Sequence, residues 1–129
     1  MKTFKKVMWG ILVAMGVLLV GFVIWGLFPA GPMDEALDAM EPSSSVNVTD
    51  EKWLVFEPLA QVPTKGFIFY PGGHVDYRSY APLCRELAAR GYLAVITPMP
   101  LSLAIFHPGA AQGVIDAYPQ IETWVIAGH

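Results

Sequence analysis

Residues 66–76 read Gly66-Phe67-Ile68-Phe69-Tyr70-Pro71-Gly72-Gly73-His74-Val75-Asp76. Five residues of strand text, apolar throughout, run into a proline and two glycines. A strand that alternates apolar and polar residues shows one face to water. A continuous apolar run belongs to a strand covered on both faces, as in the centre of a parallel sheet. The two glycines allow a sharp departure from that strand and a close backbone approach to a ligand.

The downstream text repeats the pattern. Tyr80, Leu83, Cys84, Leu87 and Ala88 fall at i, i+3, i+4, i+7 and i+8, which predicts a helix. Asp76 or Ser79 is the expected cap, with Pro82 in the first turn and Gly91 as the left-handed C-cap residue. Tyr92–Ile96 is the next strand. Leu101–Phe106 is apolar and undecided between loop and short helix. Pro108–Tyr118 reads as a helix, stopped by Pro119, and Thr123–Ala127 as another strand. Upstream, Trp53–Phe56 is a short strand ended by Pro58. Alternating strands and helices predict an α/β fold with a parallel sheet.

The N-terminus is of another kind. Val7–Phe28 holds 22 positions without a charge. As a helix this spans about 33 Å, enough to cross a bilayer. Lys2, Lys5 and Lys6 precede it, and Asp34, Glu35, Asp38 and Glu41 follow. The positive-inside bias then predicts a cytoplasmic N-terminus and an extracytoplasmic remainder. A cleaved signal peptide fits less well. The apolar run exceeds the usual span of about 7–15 residues, and neither Phe28-Pro29-Ala30 nor the Ala36/Ala39 pair makes an A-x-A site. A buried core helix conflicts with apolarity on every face. The expected organisation is 1–6 cytoplasmic, 7–28 a transmembrane signal anchor contacting the lipid bilayer, 29–51 a linker rich in proline and serine, and 52–129 a partial α/β domain.

Charge and cysteine content exclude several functions. Beyond the span, five basic residues face eleven acidic ones, with no basic run, so no nucleic-acid partner is expected. The single Cys84 allows no internal disulfide and reads as a buried thiol. His74, His107 and His129 lack metal-ligand spacing, so no metal is expected. Asp76, Asp116 and Glu122 have no evident partner. Pro71–Val75 lacks G-x-G-x-x-G, and no Gly-x-x-x-x-Gly-Lys exists, which disfavours a dinucleotide or nucleotide fold.

The chemistry-bearing residues sit at strand ends. Gly72 and Gly73 follow one buried strand. Gly128 and His129 follow another, and Gly-His is the front half of Gly-x-Ser-x-Gly, the turn that exposes a nucleophilic serine. In combination, residues 66–76, Tyr80-Ala81-Pro82-Leu83, Leu87–Tyr92, Val95–Leu101 and Trp124–His129 resemble the α/β-hydrolases of the dienelactone-hydrolase-like, family-5 branch. That resemblance implies the N-terminal part of an α/β-hydrolase parallel sheet, preceded here by one transmembrane helix. It places Gly72 and Gly73, with His74 adjoining, on the oxyanion-hole loop, and Gly128 and His129 at the start of the nucleophile elbow. The serine, acid and histidine of such a triad come later in chain order, so no catalytic residue is assigned here, and His74 and His129 read as positioning or surface residues. The expected function is ester or acyl hydrolysis of a small-molecule substrate by a membrane-anchored parent protein, without a cofactor. The 129 residues are expected to be a truncated, inactive portion. The alternative is a non-catalytic membrane-anchored interaction fragment or pseudoenzyme.

Overall fold

The computed structural model describes residues 2–129. Helix α1 (Lys2–Leu27) comes first. Trp9, Leu18, Leu19 and Ile24 stand exposed around it, and only its C-terminal end, at Phe22, Trp25 and Gly26, meets the rest of the chain. It is long and apolar enough to cross a membrane by length and composition.

A five-stranded sheet follows, in the order β1-β2-β4-β3-β5. Its members are β1 (Val46–Asp50), β2 (Leu54–Pro58), β3 (Lys65–Tyr70), β4 (Leu93–Ile96) and β5 (Thr123–Gly128). β3 runs parallel to β4 on one side and to β5 on the other. β2 runs antiparallel to both β1 and β4, so the sheet is mixed, with its parallel part where the candidate residues lie.

Side chains alternate across this sheet with the two-residue period of a strand. Phe56, Ala94 and Ile96 pack with Ala81, Cys84 and Ala88 of helix α3 (Ala81–Ala89) on one face. Val55, Ile68, Leu93 and Val95 pack with Ala111 and Val114 of helix α4 (Ala110–Ala117) on the other. Burial on both faces is why β3 and β4 read as continuous apolar text. Cys84 is buried in the α3 layer, and burial pushes its thiol up to about 12.

Three local expectations change. The stretch 29–51, expected to be a linker, contains helix α2 (Asp34–Asp38) with Ala36 buried, and strand β1 with Val46 fully buried. The serine run is a turn into β1: the Ser43 hydroxyl accepts from the amides of Ser45 and Val46. β2 starts one residue later than expected, and Pro58 is its last residue rather than the first one beyond it. β4 pairs only with Leu54–Phe56, so no neighbour there needs an N–H from Pro58. Neither Asp76 nor Ser79 caps α3. Asp76 caps the 3-10 turn Tyr77–Tyr80, and α3 starts after Tyr80 with Pro82 in its first turn. At its other end Gly91, at φ 95°, donates to Ala88 O, and Tyr92 donates to Leu87 O. This is the paired closure that a left-handed C-cap glycine makes.

Leu101–Phe106 resolves into two 3-10 turns, Pro100–Ser102 and Ala104–Phe106.

Candidate functional site

The carboxyl ends of β3 and β5 meet at one end of the sheet. Gly128 stands opposite Tyr70, the last residue of β3, and the His129 amide donates to Tyr70 O at 3.3 Å. The loop after β3 turns across this end. Gly72 is buried there. A β-carbon on it would lie 2.7 Å from His129 Nδ1 and 2.9 Å from Tyr80 Oη, so no other residue fits without displacing one of them. The two glycine signals, 56 residues apart in sequence, are neighbours in space.

Tyr80 joins them. Its hydroxyl accepts from the Gly72 amide at 3.0 Å and lies 2.9 Å from His129 Nδ1. One hydroxyl thus ties the loop after β3 to the end of β5. Sequence reasoning placed Tyr80 only on an apolar helix face. The available signal was its hydroxyl, because a tyrosine packed among apolar neighbours has to find a hydrogen-bond partner.

Gly73 differs from Gly72. It is exposed, and among the described residues its N–H has no partner. A β-carbon there would make only a snug contact, 3.4 Å from Leu103 Cδ2. A free amide at the mouth of a strand-end loop is the kind of donor that holds a developing oxyanion. His74 is turned elsewhere. It sits at φ 56°, its amide donates to Ser102 O at 2.8 Å, and its ring stacks on Trp25 of α1 at 3.9 Å between centroids. Its Nε2 is 2.8 Å from Trp25 O. Gly128 needs no special space here, since a β-carbon on it would make ordinary contact with Tyr70 at 3.5 Å.

A sheet with a glycine loop after β3 and a Gly-His pair after β5 can now be set beside known proteins. A model of the alpha/beta hydrolase family matches residues 66–129. Residues 66–129 belong to the α/β-hydrolase family. No curated protein and no solved structure matches the chain.

Other polar groups of this hydrolase segment brace the site. Tyr70 Oη donates to Pro108 O at 2.9 Å and accepts from the Ala111 amide at 2.8 Å, tying the end of β3 to the start of α4. Buried Thr97 bonds Phe69 O through both its amide and its hydroxyl. Ser102 Oγ donates to Gly26 O at 3.1 Å. His107 is exposed in the loop before α4, and no group of three or more metal-ligating side chains exists among the described residues.

Asp76 anchors the far side of the loop. Arg78 grips its carboxylate with Nε at 2.9 Å and a terminal nitrogen at 2.7 Å. Those side-chain bonds hold the carboxyl below its ordinary value, against an opposing effect of partial burial. A depressed folded value makes this a contribution present above about 3.8 and lost as pH falls through the folded value. The expected outcome is a denaturation midpoint that declines on acidification below that point, with a smaller decline in Asp76→Asn. Equal acid sensitivity of the two proteins would exclude Asp76 as its source.

Proposed function

We propose that this chain carries the oxyanion loop and the start of the nucleophile elbow of a membrane-anchored serine hydrolase that cleaves small-molecule esters by acyl transfer to water. The observation that carries the reading is the meeting of Gly72 with His129 at the strand ends, beside the free amide of Gly73. In this chemistry a serine attacks the acyl carbon, and the carbonyl oxygen becomes an oxyanion. One donor is an amide of the loop after β3, and the other is the amide of the residue after the serine. Gly73 N–H supplies the first. The serine belongs at the position following His129, with acid and histidine further along. No cofactor is required.

Support for anchoring comes from the apolar run of α1, exposed over most of its length, with Lys2, Lys5 and Lys6 at its start and acidic residues after it. The charge bias orients the catalytic segment outside the cytoplasm.

The test compares the 129-residue chain with a protein continued through Ser-x-Gly and the triad. The chain alone is expected to give no turnover of activated short-chain esters and no labelling by a fluorophosphonate, because on this reading the elbow serine is not among residues 1–129. The continued protein is expected to show both. Turnover by the chain alone, or none by the continued protein, contradicts the proposal. In the second case a non-catalytic anchored fragment becomes the better account.

A further inference from the structure

The loop after β4 lies alongside the end of α1. Leu101 packs on Gly26 so closely that a β-carbon on Gly26 would lie 2.8 Å from Leu101 Cβ. Ser102 Oγ donates to Gly26 O, and the Phe106 ring meets the edge of Phe22 at 6.5 Å between centroids. Phe22 lies five residues before Leu27, so this contact sits about 7.5 Å back along the helix from its end. The loop therefore reaches past the end of α1 and down its flank.

Its outer residues have no protein to cover them. Ile105 is 77% exposed and Phe106 49%. No Asp, Glu, Lys or Arg occurs between Arg90 and Asp116, so the loop itself brings no charged side chain to the lipid. Phe106 and His107 return their amides to Leu103 O and Ala104 O within the turn, which lowers the cost of placing that backbone beside hydrocarbon. A cleft of about 250 Å³ lies between Gly26 and Leu27 of α1 and Pro71, Val75, Asp76, Met99, Leu101 and Ser102.

From this placement, and resting on the proposed membrane anchor, we infer that the turn Leu103–Phe106 is a second membrane contact. It enters the leaflet that holds the C-terminal end of α1, and its partner is the bilayer itself. If residues 7–28 fill the hydrocarbon, Phe22 lies within it, and the side chains at its level do too. Because Leu103 borders Gly73 and Ser102 O holds the His74 amide, this contact sets the glycine loop at the membrane surface.

The experiment uses the full chain in phosphatidylcholine vesicles, labelled with an environment-sensitive fluorophore at Ile105→Cys or, separately, Phe106→Cys. Cys84 is buried and stays unlabelled. Val62→Cys, in the exposed loop before β3 at the other end of the sheet, is the reference. Labels at 105 and 106 are expected to emit to the blue of the label at 62. They should lose emission to nitroxide-bearing lipid and resist aqueous iodide, the reverse of the label at 62. Flotation of the protein with the vesicles reads the anchor separately. Flotation with iodide-accessible labels at 105 and 106 overturns this inference and leaves the anchor standing. Failure to float removes both.

Discussion

Replacing Gly72 by alanine is expected to lower ester hydrolysis by on the order of 10²-fold in a protein that carries the elbow serine, the loss typical of one disabled oxyanion donor. The reason is steric and local. A methyl group at this position falls 2.7 Å from His129 Nδ1 and 2.9 Å from Tyr80 Oη, and both are held by mutual hydrogen bonds. Either the elbow shifts or the loop does, and each changes where an oxyanion would sit relative to the Gly73 amide. Gly73→Ala is the contrasting substitution. Its methyl meets only Leu103 at 3.4 Å, the end of a flexible side chain, and the N–H is retained. Its expected loss is only a few-fold, whereas Gly73→Pro deletes the donor and should again cost on the order of 10²-fold or more. The measurement is kcat/KM on a short activated ester, with circular dichroism confirming that each variant folds. Full activity in Gly72→Ala would remove the packing argument, and full activity in Gly73→Pro would remove the donor assignment.

The difference between the two glycines was not legible in sequence, where they are an undivided pair. What could be read were features fixed by local or periodic chemistry. The apolar text of β3 and β4 exists because α3 and α4 cover both faces of the sheet, and Gly91 is required by its φ of 95°. The glycine loop and Gly-His could be placed at strand ends because chain direction follows from strand order. Features that depend on distant partners left no local trace. β1 shows only Val46 and Val48 among Asn47, Thr49 and Asp50, since an edge strand buries little, and it was absorbed into a linker. The antiparallel direction of β2 is set by its neighbours rather than by its own residues. The stacking of His74 on Trp25 joins residues 49 apart, one of them in an apolar helix whose text says only that it prefers lipid. Tyr80 combines both cases: its ring packs 4.6 Å from that of Phe69, as the periodicity implies, while its hydroxyl serves a loop and a strand end that periodicity cannot see.

The α3 layer positions that hydroxyl, and the largest stability effect is expected there. Phe56→Ala should cost about 3–5 kcal/mol, the range for deleting a buried aromatic side chain. Phe56 is fully buried, and among its cluster are Ala81, Ala88 and Ala94, whose short side chains cannot fold into the vacated space. Set against a total stability of about 5–15 kcal/mol, this is a large share of the whole. Denaturant titration of the full chain in detergent micelles is the measurement, with Val62→Ala as reference. Val62 is 80% exposed and its truncation should stay within about 0.5 kcal/mol. Because α3 begins at Ala81, directly after Tyr80, loosening this layer also frees the Tyr80 ring that braces Gly72 and His129. A midpoint for Phe56→Ala indistinguishable from that of Val62→Ala would mean that the β2–α3 layer does not hold the sheet together, and the geometry of the glycine loop would then need another support.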